Sequence, residues 1–175
     1  MKVRSLFALL LVFLPLTTAL AQLSDGKGAM TFLPKLNCSV YLPQHFKVME
    51  NGTGVIHNTT GTMVYIGKIP SEQKTTATAR SSQSIRDMLV DERMTDVKFN
   101  TVERARSASS RQKGAGNEQV YQMSFKLQQV DFERINVIIP YKSDQYLVTA
   151  NYFTRYKDNV KQEVDKIIES IAFKN

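Results

Sequence analysis

Residues 121–141 read YQMSFKLQQVDFERINVIIPY, and their pattern decides the fold. In the first half Tyr121, Met123, Phe125 and Leu127 alternate with Gln122, Ser124, Lys126 and Gln128. That is the two-residue period of a strand with one buried and one wet face. In the second half, Phe132 to Tyr141, the run Ile135, Val137, Ile138 and Ile139 blurs the alternation, as a central strand covered on both faces does. Strands this close in sequence pair antiparallel, because a parallel return needs a crossover of roughly a dozen residues or more.

Toward the C-terminus, Ser143-Asp144 makes a turn and Gln145 to Thr154 forms the next strand. Val160, Val164, Ile167, Ile168 and Ile171 then fall on one helical stripe, with Lys161, Glu163, Asp165, Lys166 and Glu169 facing away. The Glu163 and Lys166 pair is worth only a few tenths of a kcal/mol, so packing of the isoleucine stripe must hold this helix. Toward the N-terminus, 109–117 is a long polar hairpin connection and Val97 to Ala108 is extended. Ser82 to Met94 reads as a helix, because Ile85, Met88 and Leu89 recur at helical spacing behind an N-capping serine. A polar loop at 71–79 precedes it. Further back, Phe46 to Glu50 and Val55 to Asn58 flank Asn51-Gly52-Thr53-Gly54, a strong local hairpin signal. A second turn at Thr59-Thr60-Gly61 leads into Thr62 to Ile69, which Pro70 stops. Three strands, a helix, four strands and a final helix predict an α+β domain: a curved antiparallel sheet of six or seven strands with helices packed on its faces.

The start of the chain carries a different kind of signal. Lys2 and Arg4, the apolar run Leu6 to Leu16 and the small-x-small Ala19-Leu20-Ala21 are the parts of a cleavable export signal, cut after Ala21. Removing 21 of the 175 residues leaves 154, enough for one core and too few for two. Residues 22–38 are expected to be a flexible lead-in, and 39–175 the single domain. The apolar run is too short for a comfortable bilayer span, so the product is expected to be periplasmic or secreted and not membrane-spanning. The formal charge of +7 falls to +5 once Lys2 and Arg4 leave, a moderate excess that suits either anionic surfaces or plain solubility. Cys38 is the only cysteine, so no internal disulfide staples the fold. Its thiol is either buried or open to an intermolecular bridge.

Leu42-Pro43 followed by Phe46, then Gly54-Val55-Ile56, Ile69-Pro70, and Ile167-Ile168-Glu169-Ser170-Ile171 before Phe173 resemble the PsbP/Mog1-like α/β/α superfamily, including exported bacterial relatives of the DcrB type. The resemblance covers about residues 39–173 and rests on packing and turn residues. It implies a non-enzymatic accessory or binding domain. DcrB-like members are usually lipoproteins, whereas no cysteine directly follows the apolar run here.

Chemistry is sparse. There is no G-x-S-x-G nucleophile elbow, and Cys38 with His45 or His57 is the one conceivable thiol pairing, which keeps a weak cysteine-dependent hydrolase as an alternative. A two- or four-residue turn would pair residues of opposite parity and point the His45 and His57 rings apart; only an odd-length, bulged connection brings them to a common face, and even then two imidazoles fall short of the three protein ligands usual for catalytic zinc. No metal and no cofactor are expected. Arg104, Arg106, Arg111 and Lys113 form the candidate anion-binding patch, since guanidinium forks suit phosphate or carboxylate; the same residues would also guard a sheet edge. Tyr146 and Tyr152 share a face and read as core before ligand platform. No nucleic-acid motif is present. The expected function is an exported, non-enzymatic module docking a protein partner in the bacterial envelope. The alternative is recognition of an anionic lipid or polysaccharide through the basic patch.

Overall fold

The computed structural model describes residues 28–70, 82–100 and 118–174. Seven strands form one antiparallel sheet: β3 (Phe46–Val48), β4 (Gly54–His57), β5 (Met63–Lys68), β6 (Met94–Asn100), β7 (Gln119–Leu127), β8 (Val130–Tyr141) and β9 (Asp144–Phe153). Their order across the sheet is β3-β4-β5-β9-β8-β7-β6. The decisive stretch forms a long hairpin next to the central strand β9, where β7 and β8 pair from Gln119 with Ile138 to Leu127 with Val130. The α+β expectation of a six- or seven-stranded sheet with helices on its faces is met. One feature of the hairpin departs from it: Gln128, expected on the wet face of the strand, lies with Gln129 in the turn, and both have positive φ, 50° and 65°. Glutamine has no preference for that backbone region; the pairing on either side imposes it.

Strand parity sorts the side chains onto two faces. Val64, Ile135, Val137, Ile139, Val148 and Ala150 meet Val160, Val164, Ile167 and Ile168 of α2 (Lys157–Ser170) in one apolar core. On the opposite face Tyr121, Met123, Phe125 and Ile138 pack beneath Ile85 and Leu89 of α1 (Ser82–Leu89). The helix expected to reach Met94 stops at Leu89. Asp91 accepts the backbone N–H of Arg93 at 2.9 Å on Oδ1 and that of Met94 at 2.9 Å on its carbonyl, which turns the chain so that Met94 can start β6 opposite Leu127.

The lead-in expected over 22–38 is ordered from Ala29 onward. β1 (Ala29–Leu33) and β2 (Cys38–Leu42) pair antiparallel, and β10 (Ala172–Phe173) joins the other edge of β2. This small sheet closes the α2 side of the core: Leu33, Cys38, Val40 and Phe173 are buried there, and Phe173 stacks on Tyr146 with ring centroids 4.0 Å apart. Burial of Leu33 and Cys38 supplies the energy that a polar leader would lack.

Candidate functional site

The thiol and the imidazoles are the groups a cysteine-dependent hydrolase would need. Cys38 sits in the middle strand of the small sheet, fully buried, and burial pushes its thiol up to about 11. A protonated, inaccessible sulfur is not a nucleophile. His45 and His57 do not point apart: their ring centroids lie 5.9 Å from one another. Strand parity does not govern His45, which belongs to the turn in which Phe46 N–H bonds the Pro43 carbonyl at 3.0 Å. The Nδ1 of His57 is already occupied, accepting the backbone N–H of Thr59 and of Thr60, each at 3.2 Å. That fixes the neutral tautomer with the proton on Nε2. Burial lowers the His57 pKa; Glu163 opposes this and His45 adds to it. Among the described residues no three His, Cys, Asp or Glu side chains converge as a metal site.

The α1 face is built differently. It carries a buried polar row: Asn136 accepts the Thr149 hydroxyl at 3.1 Å and directs its amide at the Met123 sulfur 3.8 Å away. One register step along, Arg134 donates through Nε to Asn151 Oδ1 at 2.6 Å and through Nη1 to the Leu89 carbonyl at 3.1 Å, tying β8 to β9 and to the end of α1. Its guanidinium lies 4.9 Å above the Phe125 ring. Phe125 stacks on Phe132 at 5.6 Å and Phe132 lies 4.6 Å from Phe153. These rings, with Met63, Met94 and Leu127, line a recess of about 280 Å³ whose charged residues are Asp91, Arg93 and Arg134. Arg93 closes on Asp91 with Nε and Nη2 each 2.8 Å from a carboxylate oxygen, holding the Asp91 carboxyl well below the usual range. Among the described residues Arg134 has no such carboxylate contact; burial lowers its pKa and the nearby Asp91 charge opposes this. Sequence reasoning passed over Arg134 and Asn151, although a charge inside a strand covered on both faces was a usable signal.

A second exposed feature lies across the molecule. Among the described residues β1 ends the small sheet with only β2 beside it, and Met30 and Phe32 are 57% and 42% exposed. The candidate anion patch Arg104, Arg106, Arg111 and Lys113, the 109–117 connection and the export signal all lie outside the described residues. No described helix is long and apolar enough to cross a membrane.

Comparison of the whole fold with solved structures finds the solution structure of cyanobacterial PsbP (CyanoP) from Synechocystis sp. PCC 6803, with a TM-score of 0.57 over 87% of this chain and 96% of that one. The fold is PsbP-like. Identity to that structure is only 9%, so the PsbP-like likeness lives in topology and not in shared side chains. LpqN, involved in cell envelope biogenesis of Mycobacterium tuberculosis, is similar as well: TM-score 0.51 and 8% identity, over 83% of this chain and 84% of that one. No family model and no curated protein matches the sequence.

Proposed function

We propose that the chain is an exported, non-enzymatic binding module of the bacterial envelope that docks a protein partner by adding a strand to the β1 edge. The observation that carries this reading is β1 itself. Its sequence AMTFL contains neither a charge nor a proline, the devices by which natural sheets blunt an open edge, and Met30 and Phe32 stand exposed on one side of it. An incoming strand would take main-chain hydrogen bonds from the edge and apolar contacts from these alternate side chains. Lys174, whose Nζ lies 4.1 Å from the Phe32 ring centroid, adds a cation at the rim. Export is supported by the charged, apolar and small-residue pattern of residues 1–21, and an envelope setting by the likeness to LpqN. A photo-crosslinking residue at Thr31 in the full-length chain tests the proposal in cells. A discrete protein adduct in the envelope fraction, lost when Met30 and Phe32 are both changed to Lys in a chain that still melts normally, is the expected result. An adduct unaffected by the two lysines, or a chain that stays in the cytoplasm, would refute it.

A further inference from the structure

We infer that the recess on the α1 face is a binding site for an apolar monocarboxylate, a medium-length fatty acid being the simplest member of the class. This site is separate from the β1 edge and does not rest on the docking of a partner there.

The head group would be held by donors. An arginine carries five N–H groups in a rigid fork. Arg134 commits Nε to Asn151 and Nη1 to the Leu89 carbonyl, with the Met94 sulfur at 4.0 Å, and among the described residues Nη2 has no partner. All of its acceptors are neutral. A half-buried guanidinium held by neutral groups loses hydration without gaining a hydrogen-bonded countercharge, an arrangement that stability alone does not favour. Asp91 attracts it only through space, because both carboxylate oxygens are engaged by Arg93. Of the three charged residues at the recess, one positive charge is therefore left over. A single carboxylate matches it in charge and in the planar geometry that a guanidinium fork accepts. A dianionic phosphate would bring one negative charge too many into an apolar wall.

The tail would need apolar space. The recess holds about 280 Å³ walled by Phe125, Phe132, Phe153 and Met63, and apolar cavities of roughly 150 Å³ already admit a benzene ring. A chain of roughly ten carbons fills it on the same scale. The aromatic wall begins where the guanidinium lies over Phe125, so head and tail sites adjoin.

The test is a titration of the purified protein, followed by amide chemical shifts, with sodium decanoate below its micellar concentration, and in parallel with decanol, decylammonium and acetate. Decanoate should saturate and shift the amides of β8 and β9 around Arg134 and Asn151, with the three controls at least tenfold weaker. Arg134→Gln should remove the preference for decanoate over decanol. Asn151→Asp keeps the size of the side chain and supplies the missing countercharge, so it should weaken decanoate at least tenfold even if Arg134→Gln fails to fold. Absence of saturable decanoate binding overturns the inference, as does decanol binding equally well or decanoate binding that survives Asn151→Asp. None of these results bears on the crosslink at β1.

Discussion

The two faces of the central sheet are made by the same strands and differ in what they bury. On the α2 side strand parity presents an apolar stripe from Val64 through Val148 to Ile139, with Glu133 at its rim paired to Lys157 of α2, and the small sheet closes the end with Phe173. On the α1 side the same strands present Asn136, Thr149, Asn151 and Arg134, and the short α1 leaves the aromatic recess beside them. Packing alone would build the first face twice. Buried polar atoms and a guanidinium with no hydrogen-bonded carboxylate each cost stability, so the second face reads as the one shaped for binding.

This contrast can be broken in stages. The largest effect belongs to Ile168→Asp, which puts a charge into the α2 core where Ile168 is 6% exposed. No pairing group waits there, and loss of cooperative unfolding in a circular dichroism melt is the expected outcome. Next, Cys38 reports how tightly the α2 side is closed. A disulfide reagent should label the native thiol at least about a hundredfold more slowly than the denatured chain, since reaction requires opening and ionisation. Rapid native labelling would mean that this core is open.

Asn151→Asp probes the other face and should raise stability by about 1 kcal/mol at neutral pH, because it gives the partly desolvated Arg134 its ion pair. A loss in urea titration would show that the guanidinium is already compensated. The smallest effect is that of acid on His57. Its folded pKa lies below the ordinary 6.5, so the unfolded chain takes up the proton first. Stability is whole above that value and declines as pH falls from 6.5 toward the folded pKa. Chemical denaturation at a series of pH values should show this slope in the native chain and its disappearance in His57→Gln.

Much of the architecture could be read in advance where side-chain periods were long. The alternation over Tyr121 to Leu127, the apolar run to Tyr141 and the isoleucine stripe of α2 each repeat often enough to fix a face. The small sheet was illegible because β1 is five residues and β10 only two, too short for any period, and their strand identity comes from pairing with β2. Gln128-Gln129 was equally silent, since positive φ there is imposed by the register of β7 and β8 and not by residue preference. At the site, sequence drew attention to the thiol, the histidines and a basic run. Residue type could not reveal that Cys38 is sealed or that His57 Nδ1 is occupied by Thr59 and Thr60. Arg134 was visible as a charge in an apolar strand, but its lack of a carboxylate partner depends on Asp91 being held by Arg93, a fact of tertiary geometry.

The most direct measurement compares two substitutions on one strand. Ile139 and Arg134 both lie in β8 and project to opposite faces. By urea titration, Ile139→Ala should cost about 2 to 5 kcal/mol, as deletions from a packed core do, and Arg134→Gln under about 1 kcal/mol. Arg134→Gln costing as much as Ile139→Ala would make the guanidinium a structural keystone and would contradict the assignment of the α1 face to binding.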